Sequence, residues 1–330
     1  MSGTVAFIAN PAAGSDVRRL VAHATVTGDA AKISIVRRAV IAAVDAGADR
    51  ILLAPDRSSL CERAVDGLDL DAHVQPLEVA VHGESADSRR AAAAAREAEA
   101  GALMVLGGDG TCRDAVLGWR DAPLLPVSTG TNNVFPRWLE ATVAGTAAAL
   151  VAGGAVSLGE ATKRAKVVEL SDGSWDEPDL ALIDAVLLQG RFTGSRAVWE
   201  PHRLRAAVLA VAEPASVGLS AIGGLLHPVQ RADAGGLALG FDPDSRKQVR
   251  APIAPGLFAD VGISDVRRLA DGDVVELLGP GVIALDGERD RVLGDDEAVH
   301  ASVTRTGPHV IDVEATLRAA VARGTFVTGR

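Results

Sequence analysis

The stretch Gly107-Gly108-Asp109-Gly110-Thr111 decides the fold. It follows the continuous apolar run Ala102–Leu106 and precedes Arg113–Trp119, whose spacing predicts a helix. Strand, glycine-rich turn and helix in that order form the unit of a parallel sheet. Ligands of such sheets bind at the carboxyl ends of the strands. Glycines let main-chain N–H groups approach phosphate oxygens, and the helix N-terminus adds positive potential. An aspartate there repels a bare phosphate. It makes chemical sense where it meets Mg2+ or takes a proton from an attacking hydroxyl. The alternative is an ordinary tight turn, and three glycines around one acid argue against it.

The same alternation extends on both sides. Thr4–Ala9 predicts a strand that ends in the turn Asn10-Pro11-Ala12-Ala13-Gly14. Ser15 or Asp16 then caps a helix containing Val17, Leu20 and Val21. Helices are expected at Ile33–Ala46, Ser58–Asp66 and Asp87–Ala100, and strands at Arg50–Ala54 and His73–Val79. Leu124–Ser128 predicts a further strand running into Thr129-Gly130-Thr131-Asn132-Asn133. Continuous apolar strands separated by helices predict an α/β, Rossmann-like parallel sheet covered on both faces. Three loops at strand ends then converge. Asn10, Gly14, Gly107, Gly108, Gly110, Thr111, Thr131, Asn132 and Asn133 are the expected contacts of a nucleotide's phosphates.

The character changes after about residue 155, where short strands alternate with Gly, Pro and Asp turns: Lys166–Leu170, Leu180–Leu188, Leu237–Phe241, Val274–Leu278 and Val282–Leu285. Residues 1–153 are therefore expected to form the α/β domain, with Ala141–Ala152 as a connecting helix. Residues 154–307 are expected to form a β-rich, acceptor-binding domain, and the helix Val313–Arg323, within 308–330, to pack back on the first domain. Late in the second domain, Leu285-Asp286-Gly287-Glu288-Arg289 places acids on a turn. Glu288 can face the phosphate loops across a cleft and share with Asp109 the tasks of phosphoryl transfer. A solvated hairpin turn is the plainer reading of the same residues. Arg191, Arg196, His202, Arg203 and Arg205 either bind an acceptor phosphate or form a solvated basic face.

The totals exclude several classes. The 330 residues, 48% of them hydrophobic, are enough for two domains with sizeable cores. A net charge of −10 opposes non-specific binding to nucleic acid or to an anionic membrane. The longest apolar stretch, Val217–Val229, is broken by Gly218, Gly223, Gly224 and His227 and is too short to span a bilayer. The opening MSGTVAFIAN lacks the pattern of a signal peptide, so a cytoplasmic protein is expected. Cys61 and Cys112 read as reduced thiols, and the scattered histidines show no metal-ligand spacing.

The loops Asn10–Asp16, Gly107–Thr111 and Ser128–Phe135, the segment Ala155–Gly159 and the turn Ala284–Arg289 resemble, in this order, the NAD kinase/diacylglycerol kinase superfamily. Within it the chain resembles the AcoX-like group, ATP-NAD kinase-like proteins linked to acetoin catabolism. The resemblance implies an N-terminal α/β domain, a β-sandwich-like C-terminal domain, and ATP with Mg2+ in the cleft between them. It implies Asp109 as the catalytic or Mg2+-linked acid and Glu288 as general base. It also implies a homo-oligomer. Where NAD kinases carry an Asn-Glu pair that reads the NAD adenine, this chain has Leu182-Ile183-Asp184-Ala185-Val186, with Asp184 its only acid and no asparagine before it; Asp184, with Asp286 of the later turn, is expected to bind the acceptor. Asn133 stands where lipid kinases usually have aspartate. From the phosphate loops the acceptor expected is the hydroxyl of NAD or a related nucleotide; the alternative is a lipid or small diol-like metabolite. A nucleotide-binding regulator without turnover is the third reading.

Overall fold

The structure, a computed structural model, describes residues 3–13, 27–130, 132–175, 178–190 and 200–327, with the main chain alone at 289–290. Strands and helices alternate at first: β1 (Thr4–Ala9), α1 (Asp29–Asp45), β2 (Arg50–Leu53), α2 (Leu60–Val65), β3 (His73–Pro76), α3 (Ala86–Glu97), β4 (Ala102–Gly107), α4 (Asp109–Gly118), β5 (Pro123–Ser128), α5 (Ala141–Ala152) and the single turn α6 (Leu158–Ala161). Strands then take over: β6 (Thr162–Arg164), β7 (Val167–Ser171), β8 (Asp179–Ala181), β9 (Asp184–Leu188) and β10 (Leu204–Leu209) lead to α7 (Leu219–Leu226). Next come β11 (Gly236–Phe241), β12 (Gln248–Ala254), β13 (Leu257–Leu269), β14 (Val274–Leu278), β15 (Gly281–Leu285), β16 (Glu288–Leu293), β17 (Ala298–Thr304), β18 (His309–Ile311) and α8 (Val313–Ala322).

Every residue of β1 and β4 is buried, as continuous apolar strands covered on both faces must be. They pair in parallel at the centre of a seven-stranded sheet of order β3-β2-β1-β4-β5-β18-β6. The chain turns to opposite sides after β1 and after β4. Their carboxyl ends therefore open a crevice at the topological switch point. The alanine-rich face of α3 (Ala91, Ala92, Ala95) and α4 (Cys112, Ala115, Val116) pack on one side of this sheet. That core continues without a break into Val168, Leu170, Ile183 and Leu285 of the β-rich part. Helix α4 is thus wedged between the two halves of the molecule, with its N-terminus at their junction.

The other face is covered by α1, α5 and α8. Helices α1 and α5 meet closely at Gly145, where an added Cβ would stand 2.1 Å from the carbonyl oxygen of Ala39. Gly145→Ala is expected to lower stability by about 1–3 kcal/mol, because backbone must move to admit one methyl group; chemical denaturation reads the change. The β-rich part contains two antiparallel sheets, of order β12-β13-β11-β10-β9-β15-β16 and β14-β17-β7-β8.

Several expectations are corrected here. The first sheet also takes β6 and β18, from beyond residue 153; β18 runs parallel to β5 and β6 antiparallel to β18. The single strand expected at Leu180–Leu188 is two strands in different sheets, broken at Leu182–Ile183 because the Asp286 carboxylate takes their N–H groups at 2.7 and 2.8 Å. The helix expected at Ser58–Asp66 is shorter, since Asp56 accepts from Ser58 and Leu60 N–H and caps α2 at Leu60. Helix α4 starts at Asp109, four residues early, so the acid lies in its first turn. The stretch from Leu219 is a helix despite its glycines: a Cβ on Gly223 would lie 2.4 Å from Leu209 Cδ1. The helix expected around Val17–Val21 lies outside the described residues. Among the described residues no helix is long and apolar enough to cross a membrane.

Candidate functional site

The three strand-end loops come together at the switch point. From the β1 loop, the Asn10 side chain donates to Thr111 Oγ1 at 2.8 Å. From the β5 loop, the Asn133 amide donates to Ser128 Oγ at 2.8 Å and to the Gly107 carbonyl at 3.5 Å. Glycine lets these groups approach closely. A Cβ at Gly107 would lie 2.6 Å from Thr111 Cβ, and one at Gly108 2.9 Å from Asn133 Oδ1. A Cβ at Gly110 would lie 3.1 Å from Glu288 Oε1. Glu288, far away in sequence, is therefore seated over the glycine loop.

The two acids of the site are held in different ways. The Asp109 carboxylate accepts from Val134 N–H at 3.1 Å on each oxygen and from Phe135 N–H at 2.8 Å. It ties the β4 and β5 loops together. Glu288 is half-buried, and no hydrogen bond or ion pair holds its side chain among the described residues.

Glu288 stands where it does because of the turn before it. Asp286 and Gly287 have φ of +49° and +82°, the two positive values of a two-residue hairpin turn joining β15 to β16. The side chain of Asp286 points inward and is buried. Its oxygens accept from Leu182, Ile183 and Asp184 N–H at 2.7, 2.8 and 3.2 Å. Burial, with the Asp184 carboxylate near it, pushes the Asp286 carboxyl well above the usual range; the amides offset this only in part. Asp184 is buried as well. The expectation that Asp286 meets an acceptor is thus corrected: its carboxylate is engaged from within, on the main chain.

Two basic residues at the site carried no signal in the sequence. Lys32, buried in α1, donates to the carbonyls of Pro11 at 2.6 Å and Asn10 at 3.2 Å, and burial lowers its ammonium pKa. Arg231, between α7 and β11, donates to the carbonyls of Val134 and Phe135. Neither belongs to a motif; only the fold brings them in. Of the other expected residues, Gly14, Thr131, Arg191 and Arg196 lie outside the described residues. Arg203 and Arg205 bind the carbonyls of Gln189 and Pro280. Cys112 is fully buried beside the loop, and burial pushes its thiol well up, so it is a packing residue there.

Mg2+ that arrives with a nucleotide needs one or two carboxylates beside phosphates and water. Among the described residues no group of three acids, histidines or cysteines is arranged to hold a metal alone. The donor set fits a nucleotide-borne ion, with Asp109 and Glu288 as the acids that would meet it.

A glycine loop at the switch point, opposed by an acid from a β-rich second half, defines an NAD kinase-like, nucleotide-binding class of protein. Residues 57–155 match the ATP-NAD kinase N-terminal domain, and residues 166–306 match the acetoin catabolism protein X C-terminal domain. Yeast NADH kinase complexed with NADH has the same fold at a TM-score of 0.52 and 11% identity, covering 100% of this chain and 89% of that one. Over 328 residues the chain is 36% identical to acetoin catabolism protein X of Cupriavidus necator, covering 95% of this chain and 91% of the relative. The chain belongs to the acetoin catabolism protein X family.

Proposed function

We propose that this protein is an ATP-dependent phosphotransferase acting on a hydroxyl of NAD or a related nucleotide. One observation carries the reading: Glu288 lies over Gly110 of the phosphate loop with no hydrogen bond or ion pair among the described residues. A carboxylate so placed can accept a proton. In the reaction the acceptor oxygen bonds to the γ-phosphorus of ATP, the hydroxyl proton passes to Glu288, and the bond to the β-phosphate oxygen breaks to release ADP. The amides of Gly107–Gly110 and the start of α4 hold the phosphates, with Asn10, Asn132 and Asn133 around them. Asp109, fixed by two amides, supplies a rigid negative charge at the loop. Mg2+ bound with the nucleotide would neutralise charge on the transferring group.

A second reading, a nucleotide-binding regulator without turnover, is favoured by one observation: Asp109 already makes the main-chain bonds of a structural acid. The test follows NADP formed from NAD with ATP and Mg2+, measured together with ADP. Formation of NADP and ADP in equal amounts is the expected result. Binding of ATP with no phosphate passed to NAD or to other nucleotide and diol hydroxyls would overturn the phosphotransferase reading and leave the second one.

A further inference from the structure

We propose that Arg231 is a positioning residue that fixes Asp109 through the dipeptide Val134–Phe135. Both N–H groups of that dipeptide point at the Asp109 carboxylate. Both of its carbonyls accept from Arg231: Phe135 O from Nη1 at 3.0 Å, and Val134 O from Nη2. The N–H of Phe135 and the C=O of Val134 belong to one trans peptide group, so they point in opposite directions. A single amide therefore stands between anion and cation, polarised by both, and each bond strengthens the other. The guanidinium also lies 5.7 Å from the centre of the Phe135 ring, and its Nε is 3.5 Å from Glu213 Oε1.

Arg231 is itself held firmly. The carbonyls of its loop are gripped in turn. Arg268 donates to Pro228 O, and Lys166 donates to Gln230 O at 3.0 Å and Gly235 O at 2.8 Å. Arg305 donates to Arg231 O, Ala232 O and Asp233 O, at 3.2, 3.2 and 2.7 Å. Burial lowers the Arg231 pKa and brings Lys166 down to about 8. Keeping these cations among carbonyls is costly, and a neutral loop would fill the same space. What the arrangement achieves is a rigid link from the β-rich half to the acid at the start of α4.

The inference rests on the phosphotransferase reading for what Asp109 does, but not for how it is held. The experiment compares Arg231→Met and Arg231→Lys in the full chain, by hydrogen exchange at the Val134 and Phe135 amides and by kcat and KM for ATP. In Arg231→Met, exchange at both amides is expected to rise about tenfold. In the same variant kcat is expected to fall about 100-fold with little change in KM, because the misplaced acid costs rate more than binding. Arg231→Lys, keeping the charge but not the fork, should lie between. Unchanged exchange at these amides in folded Arg231→Met overturns the proposal, with or without turnover. Raised exchange with unaltered kcat in an active enzyme overturns it equally. If wild type transfers no phosphate, the phosphotransferase reading fails while the exchange result still decides the positioning. Should Arg231→Met fail to fold, Glu213→Gln loosens the guanidinium without removing it. A smaller rise at the same two amides is then expected, and no rise counts against the proposal.

Discussion

Replacing Asp109 by asparagine is expected to lower phosphoryl transfer by about 10²- to 10⁴-fold while ATP still binds. The asparagine side chain has the same shape, so the β4 and β5 loops keep their places. Its oxygen can still accept from Phe135 N–H, which lies 2.8 Å from the Asp109 carboxylate. Its NH2 group would then replace the second oxygen that Val134 N–H reaches, donor against donor, while the retained oxygen still accepts from that N–H at 3.1 Å. That mismatch costs about 1–3 kcal/mol of stability. Glu288→Gln makes the control, because no hydrogen bond or ion pair holds Glu288 among the described residues. It should lose turnover without losing stability. Turnover and the urea midpoint, measured for both variants, separate the two roles. If Asp109→Asn turns over within a few-fold of wild type and is only less stable, Asp109 is a structural acid and the regulator reading gains.

The contrast between these two acids marks where sequence reading stops. The glycine loop and its strand were legible because a strand covered on both faces must be continuously apolar, and Ala102–Gly107 is buried throughout. The Asp-Gly turn was legible as a hairpin, and Glu288 as its neighbour. Its seat over Gly110 is a tertiary fact, set by the pairing of β15 with β9 and β16. The three-residue strands β6 and β18 gave no local signal; they exist because an edge of the parallel sheet accepts them. Helix α7 was hidden because Gly223 and Gly224 read as breakers, whereas Gly223 is the residue that lets the helix approach Leu209. Lys32 and Arg231 were invisible for a deeper reason. Each is one cation among many in the chain, and only burial against main-chain carbonyls distinguishes it.

Asp286→Ala is expected to be the most destabilising substitution near the site, by about 3–5 kcal/mol. The carboxylate is the partner of three main-chain N–H groups, those of Leu182, Ile183 and Asp184, at the point where the chain leaves β8 and enters β9. Leu182 and Ile183 are fully buried, so water cannot readily replace the lost acceptor. Alanine also fits poorly in the left-handed backbone at this position, where φ is +49°. Asp286→Asn keeps a carbonyl oxygen and tolerates that backbone, so it should recover part of the loss. The damage is also expected to reach the chemistry. Leu285 pairs with Glu288 across the two-residue turn, and a slackened turn lets Glu288 drift from Gly110. Denaturant unfolding of both variants, with NADP formation measured at a temperature where each remains folded, tests the two effects together. An Asp286→Ala protein as stable as Asp286→Asn would mean that the three amides find other partners, and the hairpin would then not depend on this carboxylate.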